Sequence, residues 1–315
     1  MFWVMMTARP PLAVMGGVLG VMLAFSLLSP SMAWARASSA KIHQEIAALE
    51  RELDAFHAAN LSHPLADPGA PPLTQRQPRH VYQKAREVFV KVQKLRGLHQ
   101  LETRPVPLLA PREVALGDVH RLVKAIRTDL DGLRPAYKVT AIPGEDDDPA
   151  QEGTPSDLYA ALDMVSRSLD GLGLARQMPN DVLQVALTII GELEAIRQCR
   201  GLAAPPAVAK NTEGKQPKDN YARAFALHQA LKTLSESSER FAIPDGVRLL
   251  NPRTGPIRPE HVLDLLNNVL ADVIALKARL GVRHTLPFAP TQSGATPSHV
   301  YDALSLAIVL IETMA

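Results

Sequence analysis

The sequence predicts an all-α fold: about eight helices in antiparallel pairs, forming an α-solenoid-like array or an elongated helical bundle. Three observations predict it. Apolar residues recur at 4-3-4-3 spacing in run after run, the stripe of a buried helix face. A proline-led helix start occurs seven times. No stretch keeps the period of two that a half-buried strand requires.

Residues 1–35 read as a secretory signal peptide. Arg9 is their only charge, Leu12 to Leu28 is apolar, and Ala33-Trp34-Ala35 supplies a small-x-small cleavage site, the three parts such a leader needs. The expected location is periplasmic, after cleavage behind Ala35. An uncleaved segment anchored in the inner membrane is the alternative, and membrane contact is expected only through it. Residues 36–76 are expected to form a coiled-coil-like helix, about Ser39 to Ala59, with a linker. Ile42, Ile46, Leu49, Leu53 and Phe56 make a narrow seam among Glu and Arg residues, a surface suited to oligomerisation.

Residues 77–315 are expected to be the helical-pair repeat domain. Its starts are Pro78-Arg-His-Val-Tyr82, Pro111-Arg-Glu-Val-Ala115, Pro155-Ser-Asp-Leu-Tyr159, Pro179-Asn-Asp-Val-Leu183, Pro217-Lys-Asp-Asn-Tyr221, Pro259-Glu-His-Val-Leu263 and Pro297-Ser-His-Val-Tyr301. Proline suits the first helical position, where its missing N–H has no partner to lose. The acidic residue two places on suits the positive end of the helix dipole. His80, His261 and His299 stand where other starts carry Glu113, Asp157, Asp181 or Asp219. That interchange predicts a shared helix-start role for these histidines. Tyr occupies the fifth place in alternate starts, so the repeating unit reads as two helices. Long Pro/Gly-rich links, Pro135 to Gly153, Gly201 to Gln216 and Gly281 to Thr296, join the pairs. The tetratricopeptide signature is missing, and the unit is longer than its period of about 34.

Composition narrows the function. The 315 residues carry 34 Lys+Arg and 32 Asp+Glu, a net charge of +2, with 46% hydrophobic residues. That is a folded chain, without the basic excess of a nucleic-acid binder. Cys199 is the single cysteine, so an exported fold must stand on its core without an internal disulfide. We expect Cys199 to be a small buried residue beside the Ile196 stripe.

No H-E-x-x-H, C-x-x-C or G-x-S-x-G occurs, and Ser38-Ser-Ala-Lys41 lacks the K-T-G partner of an S-x-x-K enzyme. The run Glu145 to Asp148 lacks alternating Ca²⁺-ligand spacing. No catalytic, cofactor-binding or metal-ligating residue is therefore assigned, and no cofactor is expected. The expectation is a non-enzymatic protein-binding or scaffolding module whose partner is a protein or peptide of the cell envelope. A helical sensor with a small-molecule pocket between helix pairs is the alternative. Tyr82, Tyr159, Tyr221 and Tyr301 are the candidate binding-surface residues. Their structural role would be a ring packed on the preceding link with its hydroxyl bonded to a loop carbonyl.

Overall fold

The computed structural model describes residues 30–65, 75–108, 110–140, 142, 152–174, 178–208 and 212–314. Among them the chain is helical without strands. The helices are α1 (Pro30–Asn60), α2 (Pro78–Leu98), α3 (Leu116–Asp131), the single turn α4 (Arg134–Tyr137), α5 (Pro155–Asp170), α6 (Pro179–Cys199), α7 (Pro217–Ser237), α8 (Pro259–Arg279) and α9 (Pro297–Glu312). A 3-10 turn, Glu239–Phe241, follows α7. Arg9, the apolar stretch 12–28 and the acidic run 145–148 lie outside the described residues. Ala33 to Ala35 fall within α1.

Six helices begin at the proline that marked them. The exception is Pro111, which sits in a bend; α3 starts five residues later, at Leu116. The cap explains the shift. Asp118, not Glu113, reaches back to the Ala115 N–H at 3.0 Å. In the third helical position of every long helix from α2 onward, one side chain makes this same bond. His80 accepts from Gln77 N–H at 3.0 Å, Asp157 from Thr154 at 2.8 Å and Asp181 from Met178 at 3.0 Å. Asp219 accepts from Gln216 at 2.8 Å, His261 from Arg258 at 3.2 Å and His299 from Thr296 at 3.2 Å. This is the back-reaching half of a capping box. The three histidines perform it through Nδ1, so in that tautomer Nε2 carries the proton.

The helices pack as two four-helix bundles, and the helix pairs nest inside them. In the first bundle α1 and α2 each pack on α3 and α5, so α1 and α2 are diagonal. In the second, α6 and α7 each pack on α8 and α9. Each bundle has its own apolar core. The seam Ile42, Ile46, Leu49, Leu53 and Phe56 is buried in the first core, so the partner of that surface is the chain itself. Pairs α2–α3 and α7–α8 pack as units, whereas α5 and α6 belong to different bundles.

The two bundles are equivalent, helix for helix: α1 matches α6, α2 matches α7, α3 matches α8 and α5 matches α9. The buried seam Ile42, Ile46, Leu49, Leu53, Phe56 corresponds to Val182, Ala186, Ile189, Leu193, Ile196. Polar contacts repeat as well. Glu52 pairs with Arg134, and Glu192 pairs with Lys277. His57 Nε2–H donates to the Ser168 carbonyl at 3.0 Å, and Arg197 donates to the Leu310 carbonyl at 3.1 Å. The Arg76 amide donates to Ser156 Oγ at 3.0 Å, and the Lys215 amide to Ser298 Oγ at 3.2 Å. Shared side-chain positions with interchanged chemistry mark one architecture used twice.

Candidate binding surface

The four tyrosines fall into two structural pairs. Tyr82 and Tyr221, on the equivalent helices α2 and α7, are buried. The Tyr221 hydroxyl accepts the Arg253 N–H at 3.3 Å, a loop amide rather than the loop carbonyl expected. Tyr159 and Tyr301, on α5 and α9, instead lie beneath cations. The Arg76 guanidinium is 4.2 Å and the Lys84 ammonium 5.2 Å from the Tyr159 ring centre. Lys215 and Arg223 stand 4.3 and 5.4 Å from the Tyr301 ring centre. Both are cation–π distances. Tyr159 is buried, whereas Tyr301 is partly exposed, so the four rings do not share one environment or line one groove.

Tyr159 is buried because the second bundle docks on it. The face of α8 that meets α2 presents Asp264, Asn268 and Asp272, four residues apart and therefore on one side of a helix. Lys84 Nζ lies 2.9 Å from Asp264, 3.1 Å from Glu87 and 3.1 Å from Asp163. The Tyr159 hydroxyl donates to Asp264 and accepts from Asn268 at 3.3 Å. Arg76 bonds Asn268. Lys91 pairs with Asp170 at 2.7 Å, and Asn267 reaches Glu87 at 3.2 Å.

Deeper in the layer, Asp272 gathers three donors. Arg79 Nε lies 2.7 Å and His80 Nε2 3.1 Å from Oδ1, and His228 Nε2 lies 3.2 Å from Oδ2. Arg79 also donates to the Pro244 and Gly246 carbonyls at 3.0 and 2.7 Å. His228 occupies the place in α7 that Phe89 fills in α2, so one core position has been exchanged for a donor.

The charges follow from this pairing. Burial pushes the Asp272 carboxyl up, but His80, His228 and Arg79 overcome it and hold it well below the usual carboxylate range. Burial likewise opposes ionisation of Asp264, yet Lys84 and Arg76 bring it far below that range. Burial would lower the Lys84 ammonium; Asp264 and Glu87 more than offset this and raise it well above its ordinary value. His80 is lowered because burial outweighs the attraction of Asp272. Elsewhere, burial raises Glu52 to about 7 despite Arg134.

Beside this layer, where the bundles meet, is a cleft of about 640 Å³, a size typical of small-molecule sites. Its walls include Val114 and Pro111 from the first bundle and Ile274, Ala275 and Ala278 from α8, with Arg112, Arg279 and Arg283 among its residues. Arg112 is held by Asp118 through bonds of 2.8 and 2.6 Å. No candidate tyrosine lines this cleft. Tyr82 lines a smaller adjoining hollow with Arg86 and Phe288. The polar layer is not legible in the sequence, since Lys84, Asp264 and Asp272 sit on helix faces that look solvated when each helix is read alone.

Among the described residues, no group of three or more His, Cys, Asp or Glu is placed to hold a metal ion. No helix there is long and apolar enough to cross a membrane. Cys199 is exposed, contrary to the buried place expected for it. It ends α6, one turn past Ile196, where the core no longer covers the helix. Compared with known protein families, curated proteins and solved structures, the chain matches none.

Proposed function

We propose that the chain is an exported, non-enzymatic helical-repeat protein, acting in the periplasm as a protein-binding or scaffolding module. One observation carries the reading: three strongly perturbed groups at the bundle junction, Lys84, Asp264 and Asp272, are tied into a single layer of buried polar contacts. A catalytic acid or base needs a titrating group aimed at a reacting atom. Here the ionised forms of these groups hold two bundles in register, as a rigid platform for a partner requires. The leader-like residues 1–35 supply the argument for export. The test is chemical cross-linking in intact cells, followed by identification of the cross-linked proteins in the envelope fraction. A reproducible envelope partner supports the reading; a chain that stays in the cytoplasm contradicts export.

The cleft of about 640 Å³ favours a second reading, a small-molecule site between the bundles. Native mass spectrometry of the purified chain separates the two. A retained small molecule, lost on Ala275→Trp, selects the second reading.

A further inference from the structure

We propose that the outer corner of α7 and α9, built from Lys215, Arg223 and Tyr301, docks an acidic helix of a partner protein. The inference rests on the protein-binding reading and names the surface and the chemistry of its partner.

The template is inside the molecule. In the first bundle the equivalent corner is Arg76, Lys84 and Tyr159. It is covered by α8, which inserts Asp264 and, one turn on, Asn268. Asp264 meets Lys84 at 2.9 Å and takes the Tyr159 hydroxyl proton in a hydrogen bond. Asn268 bonds Arg76 and Tyr159. Arg76, Lys84 and Tyr159 are consequently all buried.

The second bundle rebuilds the corner closely. Lys215 takes the place of Arg76 and Arg223 that of Lys84, at nearly the same distances from the ring. Lys84 reaches Asp163 at 3.1 Å, and Arg223 reaches Ser305, the matching residue of α9, at 3.0 Å. No described helix lies over this corner, and all three residues remain partly exposed. The Arg223 guanidinium is thus partly open where Lys84 meets a carboxylate from α8.

The neighbouring positions say what the occupant looks like. Glu87 and Lys91 of α2 become Ala226 and Ala230 in α7, so the surface beside the corner is less polar than its counterpart. The occupant is an amphipathic helix with one carboxylate for Lys215 and Arg223 and small or apolar residues alongside. A second copy of this chain is a poor fit through the helix equivalent to α8. Where α8 carries Asp264, α3 carries Arg121, which would meet Lys215 and Arg223 with like charge.

The test uses the full chain and a fluorescent synthetic helix. The probe has Asp and, four residues later, Asn on an Ala/Leu face; the control has Lys in place of Asp. Anisotropy should show the Asp helix binding at least tenfold more tightly than the Lys helix, and more weakly at high salt, as screened charges require. Arg223→Glu should weaken the Asp helix at least tenfold and favour the Lys helix. Lys215→Glu, scored in parallel with circular dichroism for folding, guards against an unfolded variant. Equal binding of the two helices overturns the proposal. So does concentration-dependent dimerisation lost in Arg223→Glu, which assigns the corner to a second copy. Failure here with an envelope partner still cross-linked sinks only this surface; absence of any envelope partner sinks the protein-binding reading itself.

Discussion

Arg79 and Asp272 face each other at 2.7 Å across the junction of the two bundles, 193 residues apart in sequence and both buried. The aspartate is shared with His80 and His228, so one carboxylate organises donors from α2 and α7. Removing one member of a buried ion pair strands the other charge and costs about 3–5 kcal/mol. Asp272→Ala should therefore lower stability by roughly that amount, measured as a shift in urea midpoint. A loss within experimental error would show that this layer does not hold the bundles together.

The helix caps give a paired prediction. His299 caps α9 from an exposed position, and aspartate does the same work in α5, α6 and α7. His299→Asp should leave stability within about 0.5 kcal/mol, since surface changes that keep a cap are small. His80→Asp preserves the same cap but sets a second carboxylate against Asp272. It should destabilise by several kcal/mol, as unpaired buried charge does. Equal effects at the two sites in thermal unfolding would contradict the assignment.

Glu52 fixes a pH dependence. Burial raises its carboxyl from the ordinary 4.5 to about 7, so the folded chain holds a proton there that the unfolded chain has released. Between about pH 4.5 and 7 the folded state binds more protons, and the Glu52 contribution to stability falls as pH rises. Above and below that window it is flat. Subtracting the stability–pH curve of Glu52→Gln from that of the wild type isolates the effect. A difference that rises with pH across the window would reverse the sign argued here.

The tyrosine pairs differ in a measurable way. The Tyr159 hydroxyl bonds an ionised Asp264 in a buried site, and hydrogen bonds to charged groups contribute about 1.5–3 kcal/mol. Tyr159→Phe should cost that much in urea unfolding. Tyr221→Phe, which loses one bond to a loop amide, should cost about 1 kcal/mol. The opposite order would contradict the roles assigned to the two rings.

Much of the fold is legible because its signals are local. Proline at the first helical turn and an acceptor two residues on mark Pro78, Pro155, Pro179, Pro217, Pro259 and Pro297 without reference to the rest of the chain. Pro111 carries the same marks, but the cap residue that acts is Asp118, and the sequence offers two acidic candidates within one turn and a half. The four-helix unit is hidden because the tyrosine alternation has a period of two helices and α1 carries none of the marks. The junction is hidden for a different reason. Arg79, Lys84, Asp264 and Asp272 look like solvated helix faces until α2 and α8 meet, and no local pattern predicts that meeting. Tyr159 and Tyr301 were visible as candidates, but the helix that covers one and leaves the other partly open is a tertiary fact.

Among the described residues, eight helices form two equivalent four-helix bundles, α1 standing in the first as α6 stands in the second. Hydrogen exchange of the full chain, read by mass spectrometry, tests this equivalence directly, because buried core helices open only with large-scale unfolding. Amides along Ile42–Phe56 should exchange as slowly as those along Val182–Ile196, both at the rates of the neighbouring core helices α2 and α7. If Ile42–Phe56 exchanges like a solvent-exposed helix while Val182–Ile196 stays protected, the first bundle does not exist as described.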